Sequence, residues 1–306
     1  MRVNIMKKVA VLGPKGTYSD VAKDNYLNSI NEEYETIYYP SIIKAINAID
    51  DNTIAIVPFE NSLDGFILES LDKMISNKLN VVKQLKLSID FAFVANVSKI
   101  EDVKEVYCQF KSYGQCLDFI TSQSFSVIKT ESNIESLVRF KEAEKGYGAI
   151  IPIHALDKEY PLVIKHISDS KNNETRFFVL NNKGEFNIEY KNDVDASLVI
   201  TSILDRPGIL FDILKRFHDE NINLKSILSR PDKTGMGNYN FYIDALATAR
   251  ETPRMALAPR FDLVLVPSIF NIFWSMARWS RADMPMISGA IILLTLSTAF
   301  RVPLPP

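Results

Sequence analysis

Short apolar runs that end in polar turns recur along the first 185 residues, and helical spacing follows several of the turns. Residues 8–12 (KVAVL) end in residues 13–19 (GPKGTYS), after which apolar residues recur every three to four positions. Residues 53–57 repeat this arrangement before an amphipathic stretch at 67–75. The alternation predicts an α/β fold, in which the strand-to-helix junctions of parallel strands lie along one edge of the sheet.

Hydroxyl and amide side chains occupy these junctions. Thr17 follows the first run, and Asn61 and Ser62 follow the second. Because the junctions share an edge, we expect these residues to converge on one crevice. The glycines and the helix N-terminus after residue 19 favour a carboxylate or phosphate there. A plain turn in which Ser19 caps the helix remains an alternative for the first junction.

Further apolar runs predict a second α/β lobe and a return to the first. Residues 87–94, 103–107, 125–129 and 147–153 fit strands of the second lobe. A strand that opens with Thr175 and Arg176 is expected to lie back in the first lobe. The chain then crosses between the lobes twice, and ligands commonly bind in such a cleft.

The C-terminal third contains a strand, a helix and two strands, at residues 196–204, 209–221, 224–228 and 239–243. This unit is two elements short of a ferredoxin-like βαββαβ domain. The missing helix and strand fall where the composition changes. Residues 246–306 have no lysine but contain both tryptophans and half of the prolines. They fit a membrane-associating tail or an out-of-frame or fused segment, and the absence of strand or helix rhythm favours the second.

Charge and thiol content exclude several classes of function. A net charge of −2 leaves no broad basic surface for nucleic acid. The two cysteines, Cys108 and Cys116, and the three histidines are too few and too scattered for a typical zinc site or disulfide framework. Both thiols are expected to be buried rather than nucleophilic or redox-active. The N-terminus lacks the apolar core of a secretory signal, so a cytoplasmic location is expected and a membrane role is not.

Three motifs in order resemble the prephenate dehydratase family: residues 13–19, 57–65 (VPFENSLDG) and 172–177 (NNETRF). Residues 205–211 (DRPGILF) and 228–231 (LSRP) resemble the ACT regulatory domain that follows in that family. The resemblance implies a two-lobed, type II periplasmic-binding-protein-like catalytic region, an ACT domain, and no metal or organic cofactor. It divides the chain into a catalytic region at 7–185 (first lobe 7–86 and 165–185, second lobe 87–164), an incomplete βαββ ACT domain at 194–245 and an unmatched tail at 246–306.

The resemblance also assigns a reaction and its residues. Prephenate would lose carbon dioxide and water to give phenylpyruvate, a step of phenylalanine biosynthesis, with Thr175 as the catalytic residue. Arogenate dehydration and a non-catalytic amino-acid sensor are the alternatives. A structural ion pair is as good an interpretation of Arg176 as a substrate contact, and Glu60 is expected to order its loop. The substrate-binding candidates are Thr17, Asn61, Ser62, Ser132, Asn133 and Arg176.

The second lobe departs from the family pattern. Residues 108–112 (CQFKS) replace the Ser-His-Pro-Gln-Ala of many members, and residues 132–134 (SNI) replace Ser-Thr-Ala. Either the chain belongs to a variant branch in which Ser132, Asn133 and Lys111 contact substrate, or its specificity has changed. We favour the branch.

Regulation is expected to involve a pair of ACT domains in a homodimer or homotetramer, with phenylalanine as effector at their interface. Loss of the last helix and strand would expose a sheet edge, so we expect weak inhibition and poor solubility unless the tail rebuilds them. Leu228 also stands where a glutamate is usual. The effector-binding candidates are Gly208, Ile209, Leu210, Phe211, Ser229, Arg230 and Pro231.

Overall fold

The computed structural model describes residues 6–30, 32–157, 159–182, 194–200, 207–219, 221–235, 237–247, 263–265, 290–292 and 295–297. The helices are α1 (Tyr18–Ile30), α2 (Ile42–Asn47), α3 (Leu68–Ser76), α4 (Phe110–Gln115), α5 (Leu117–Thr121), α6 (Asn133–Glu142) and α7 (Ile209–Asp219). The strands are β1 (Lys8–Leu12), β2 (Glu35–Tyr39), β3 (Thr53–Asn61), β4 (Gly65–Phe66), β5 (Asn80–Ser88), β6 (Phe91–Ala95), β7 (Glu105–Gln109), β8 (Ser126–Thr130), β9 (Tyr147–Pro152), β10 (Leu162–Lys165), β11 (Glu174–Asn181), β12 (Val194–Ile200), β13 (Asn223–Pro231), β14 (Tyr239–Ala247), β15 (Leu263–Leu265), β16 (Ala290–Ile292) and β17 (Thr295–Ser297).

Two sheets form the two lobes that the sequence predicts. The first has the order β2-β1-β3-β11-β5, and β4 pairs with β3. Strands β1, β2 and β3 are parallel, whereas β11 runs antiparallel to β3 and β5. The second sheet has the order β10-β6-β9-β7-β8. The expected return of the Thr175 strand to the first lobe is therefore confirmed, whereas the residue bounds given above for the lobes stay predictions.

The run at 87–94, expected to be one strand, is divided between the two sheets. Strand β5 ends at Ser88 and β6 begins at Phe91. Asp90 lies at the crossing, where its backbone N–H donates to the Tyr18 hydroxyl (2.9 Å) and its carboxylate accepts from Ser168 (2.8 Å). The break does not show in the hydrophobic pattern, because Ile89 between the two strands is apolar and buried like the strand residues.

The third sheet has the order β13-β14-β12-β17, and every neighbouring pair is antiparallel. This is the strand order of a ferredoxin-like domain, in which the fourth strand lies beside the first. Strand β17, from the unmatched tail, takes the fourth place by pairing Ser297 with Asp195 and Thr295 with Ser197. The predicted exposed edge is therefore covered at these positions. The second helix of a ferredoxin-like domain, which the sequence predicts to be missing, would lie between β14 and β17, mostly in residues outside the described ranges.

The third sheet packs directly on the first lobe. Val199 and Tyr242 belong to the same buried cluster as Phe59 and Phe178. The Tyr242 ring lies 5.4 Å from the ring centroids of both Phe59 and Phe66. Aromatic contacts of this kind stabilise a fixed docking of the third sheet on the first sheet.

Within the described ranges, no helix is long and apolar enough to cross a membrane. Among the same residues, there is no group of three or more histidine, cysteine, aspartate or glutamate side chains that could hold a metal ion.

Candidate active site

A cleft of about 280 Å³ opens between the first and second sheets. One wall comes from the ends of β1, β3 and β11, and the other from the segments after β7 and β8. Its polar and apolar lining is mixed, as in small-molecule sites generally. The lining residues are Leu12, Gly13, Thr17, Tyr18, Ser19, Pro58, Asn61, Asp64, Ile67, Ile89, Phe91, Gln109, Lys111, Ser112, Gln115, Glu131, Ser132, Asn133, Thr175 and Phe177.

Thr175 and Asn61 are opposite one another in the antiparallel pair of β11 and β3. The Asn61 Oδ1 accepts from the backbone N–H groups of Leu63 (2.9 Å) and Asp64 (3.1 Å). These two donors fix the orientation of the carboxamide, because a backbone N–H requires an oxygen acceptor. Asn61 Nδ2 must then donate to Thr175 Oγ1, at 2.9 Å. The Thr175 hydroxyl accepts from the protein and keeps its own proton for a group in the cleft.

Asn173 extends this network to the second lobe. Its Oδ1 accepts from Asn61 Nδ2 at 2.7 Å, and its Nδ2 donates to Gln115 Oε1 at 3.0 Å. Asn173 is buried, and Gln115 lines the cleft from the other lobe. These hydrogen bonds, from Gln115 through Asn173 and Asn61 to Thr175, therefore connect the Thr175 hydroxyl to both walls.

The turn at residues 13–19 is held in place by Asp20, in the first turn of α1. The Asp20 carboxylate accepts from the Gly16 backbone N–H (2.9 Å) and from the Tyr38 hydroxyl (2.5 Å). Burial opposes ionisation, but Lys23, Tyr38 and the Gly16 N–H lower the pKa of Asp20 below its usual value. Gly16 has a φ of +89°, and a Cβ there would lie 3.1 Å from Ile134 of the second lobe. The turn therefore requires glycine and presents Thr17 to the cleft.

The opposite wall is built around the N-terminus of α6. Ser132 caps this helix by accepting from the Glu135 N–H at 3.0 Å. Asn133 Oδ1 accepts from the buried Ser112 hydroxyl, which leaves Asn133 Nδ2 as the donor toward a ligand. Both predicted residues of this wall, Ser132 and Asn133, line the cleft.

Lys111 carries the one positive charge among the described residues that line this cleft. Its ammonium lies 3.6 Å from the Asp64 carboxylate, which belongs to the first lobe, and both side chains are exposed. An exposed pair at this distance is weak, so a bound anion can replace Asp64 as the partner of Lys111.

Two of the predicted substrate-binding residues, Arg176 and Ser62, do not line this cleft but line a separate pocket together with Glu60 and Asp244. Consecutive side chains of a strand point to opposite faces, so Arg176 lies behind the sheet when Thr175 faces the cleft. The Arg176 guanidinium pairs instead with Glu60 (2.7 Å) and with Asp244 of the third sheet (2.5 Å). The Ser62 hydroxyl donates to the Asn172 carbonyl at 2.8 Å and accepts from the Glu174 N–H at 2.9 Å. The contacts of Arg176 match the ion pair that was the alternative interpretation of this residue, and Glu60 is one of its partners.

The predicted effector residues separate into two groups. The side chain of Phe211 is 66% exposed, and Leu210, Gly208, Ser229 and Pro231 are also exposed. Ile209 is instead buried, and Arg230 pairs with Asp72 of α3 at 2.8 Å. Ile209 and Arg230 are thus less exposed than the other five effector-binding candidates.

Sequence analysis misses Gln109, Ser112 and Gln115 as cleft residues. Gln109 and Ser112 lie in residues 108–112, which depart from the family pattern, and Gln115 follows shortly after them. Gln109, the last residue of β7, caps α4 by accepting from the Lys111 N–H at 2.7 Å. A glutamine at the end of a strand does not indicate this role in the sequence. Cys108 and Cys116 are unpaired and fully buried, as expected, and burial raises the pKa of Cys108 to about 12.

Comparison with known proteins gives matches over most of the chain. The prephenate dehydratase family model matches residues 9–185, and the ACT domain model matches residues 197–251. The prephenate dehydratase of Methanocaldococcus jannaschii is 32% identical over 241 residues, which cover 78% of this chain and 88% of that protein.

Two solved prephenate dehydratases have similar folds. The crystal structure from Staphylococcus aureus has a TM-score of 0.69 at 30% identity and covers 81% of this chain and 93% of its own. That from Arthrobacter aurescens, solved with L-Phe, has a TM-score of 0.67 at 23% identity and covers 78% and 80%.

Proposed function

This chain belongs to the prephenate dehydratase family, and we propose that it converts prephenate to phenylpyruvate in the cleft beside Thr175. The observation that carries the proposal is the Asn61 donation to Thr175, which directs the hydroxyl proton into the cleft. Tyr18, Phe91 and Phe177 provide aromatic surface in the same cleft for a six-membered ring.

The reaction takes up one proton. The bond between the ring and its carboxylate breaks and its electron pair enters the ring, while the ring carbon–oxygen bond breaks and hydroxide leaves as water. The prephenate dianion and one proton thus give the phenylpyruvate anion, carbon dioxide and water. Thr175 assists by hydrogen bonding to the departing hydroxyl, since an alcohol is too weak an acid to protonate it fully. The proton itself comes from solvent.

The substrate carboxylates need donors on both walls. Thr17, Asn133 and the start of α6 with Ser132 supply neutral donors and a favourable helix dipole. Lys111 supplies the positive charge by exchanging Asp64 for a carboxylate. A dianion is therefore held between the lobes, with its departing hydroxyl near Thr175.

Replacement of the Thr175 hydroxyl tests the proposal. Thr175→Val keeps the shape but removes the donor, so we expect kcat for prephenate to fall by about 10²–10³. Thr175→Ser keeps the hydroxyl and is the matched control, expected to retain most activity. Phenylpyruvate formation from prephenate is followed by absorbance and phenylalanine formation from arogenate by amino-acid analysis, which determines the preferred substrate. Ligand binding without turnover in the unsubstituted chain would instead indicate the amino-acid sensor.

Phenylalanine inhibition is proposed for the third sheet, because the ACT model matches it and a relative of the same fold was solved with L-Phe. The exposed surface around Gly208, Phe211 and Ser229 is the proposed contact between two ACT domains of a homodimer or homotetramer. A cytoplasmic location is part of the same proposal and is tested by fractionation of cells.

A further inference from the structure

The residues on either side of the Thr175–Asn61 pair are themselves paired on the back of the sheet. In the register of β11 with β3, Thr175 is opposite Asn61 and Arg176 is opposite Glu60. A β-bulge follows between Arg176 and Phe177. The backbone that carries the reactive hydroxyl is thus continuous with the backbone that carries a buried guanidinium.

The guanidinium of Arg176 is held by the regulatory sheet. Its NH2 group lies 2.5 Å from Asp244 Oδ2, on β14, and Arg176 and Asp244 are 8% and 4% exposed. The other oxygen of Asp244 accepts from the Tyr242 hydroxyl at 2.6 Å. Burial would lower the pKa of this guanidinium, but Tyr242, Asp244 and Glu60 raise it, so it stays charged.

Aromatic rings restrict the remaining freedom of this side chain. The Arg176 guanidinium carbon lies 5.2 Å from the Phe59 ring centroid and 5.4 Å from that of Phe178. Its Nε is buried without a hydrogen-bond partner. Removal of the Asp244 charge leaves Glu60 (2.7 Å) as the counter-ion of Arg176, so the guanidinium is expected to shift toward Glu60 and away from the third sheet.

We propose that Asp244 is a positioning residue, which acts through Arg176 to fix the Thr175 hydroxyl against Asn61. The ACT sheet thereby contributes to the geometry of the catalytic cleft without touching substrate. The inference deepens the proposed function and rests on it, since its main readout is prephenate turnover.

The test compares two ion pairs that both join the ACT sheet to the first lobe. Asp244→Asn weakens the Arg176 pair, and Asp72→Asn weakens the Arg230 pair (2.8 Å), neither residue of which lines the cleft. Asp244→Asn is expected to lower kcat at least about tenfold, since small displacements of a reacting group are costly, and to change KM less than about twofold. Asp72→Asn is expected to leave kcat within about twofold.

A double-mutant cycle separates positioning from general damage. In the Thr175→Val background, Asp244→Asn is expected to have no further effect on kcat, because the group that it positions is gone. Equal losses in both backgrounds, or equal losses for Asp244→Asn and Asp72→Asn, overturn the inference.

Hydrogen exchange supplies a readout that needs no turnover. Amides of residues 172–180 are expected to exchange faster in Asp244→Asn than in Asp72→Asn, and equal exchange overturns the inference. If Asp244→Asn does not fold, the variant Tyr242→Phe is used in its place in both experiments, because it removes the 2.6 Å hydrogen bond to Asp244. Absence of turnover in the unsubstituted chain overturns the proposed function instead, and the exchange comparison still decides the role of Asp244.

Discussion

The Lys111 ammonium and the Asp64 carboxylate come from opposite lobes and face each other at the cleft. Asp64 and Glu131 are the acidic residues of the lining, so without Lys111 the described lining would repel a dianion. Asp64 thus pairs with Lys111 across the cleft, and under the proposed function a substrate carboxylate would replace Asp64 as its partner.

We predict that Lys111→Met raises KM for prephenate about tenfold and changes kcat less, because it removes a charge-assisted bond to the substrate. Added salt should raise KM of the unsubstituted enzyme and have a smaller effect on the variant. The control is Lys129→Met, which removes an exposed lysine of the same lobe that does not line the cleft. Steady-state kinetics at two salt concentrations measure both effects, and equal KM values for the two variants would contradict the assignment.

Strand order and alternation explain which of the predicted site residues line the cleft. Thr17, Asn61 and Thr175 meet because they lie at the ends of neighbouring strands, and the α/β pattern predicts that edge. Ser62 and Arg176 adjoin Asn61 and Thr175 in the chain, and treating each motif as one unit places them on the same side. A period of two places Arg176 on the face opposite Thr175, so that signal was present in the sequence, whereas Ser62 follows the last residue of β3 and is not placed by it.

Other features could not be predicted from local pattern. The antiparallel register of β11 with β3 brings Thr175 and Asn61 together across 114 positions of sequence. The Arg176 partner Asp244 belongs to a different sheet, so only tertiary packing identifies it. Strand β2 and most of β5 were also not predicted, because their mixed polar and apolar residues do not form a distinct apolar run.

The turn at residues 13–19 is also attached to the second lobe through His154. The carbonyl of Gly16 can only accept, so His154 Nε2 donates to it, at 3.0 Å. His154 Nδ1 is buried without a partner, and burial lowers the pKa of this histidine below its usual value of 6.5. Protonation would therefore place a second N–H where it has no partner, and burial disfavours the added charge more than Asp20 and the Gly16 carbonyl favour it.

A depressed histidine pKa predicts how stability depends on pH. Above pH 6.5 His154 is neutral in both folded and unfolded states, and its contribution to stability is complete. As the pH falls below that value the unfolded state binds the proton first, so stability is lost. We predict that the melting temperature falls more between pH 7.5 and 5.5 in the unsubstituted protein than in His154→Gln. The exposed His218→Gln is the control, and identical pH slopes for all three proteins would refute the prediction.

At the scale of the whole molecule, three sheets are joined by contacts that bear on the same cleft. The first and second sheets enclose it, and the third packs behind Thr175 through Arg176 and Tyr242. Strand β17 contacts β5 of the first sheet as well as pairing with β12. The tail therefore links the regulatory sheet to the catalytic region.

The last prediction concerns a chain that ends at Ala247, where β14 ends. Removal of β17 exposes the backbone groups of β12, and an exposed edge promotes association of chains. We expect the shortened chain to form phenylpyruvate at a rate within about threefold of the full chain, because the described cleft residues precede residue 178. Phenylalanine inhibition should be weaker and aggregation greater than in the full chain.

Leu296→Pro in the full chain removes one backbone donor of β17, so it should reproduce both effects in part without shortening the protein. Turnover with and without phenylalanine, together with sedimentation of each protein, measures the outcome; equal inhibition of all three would show that the fourth strand is not needed for regulation.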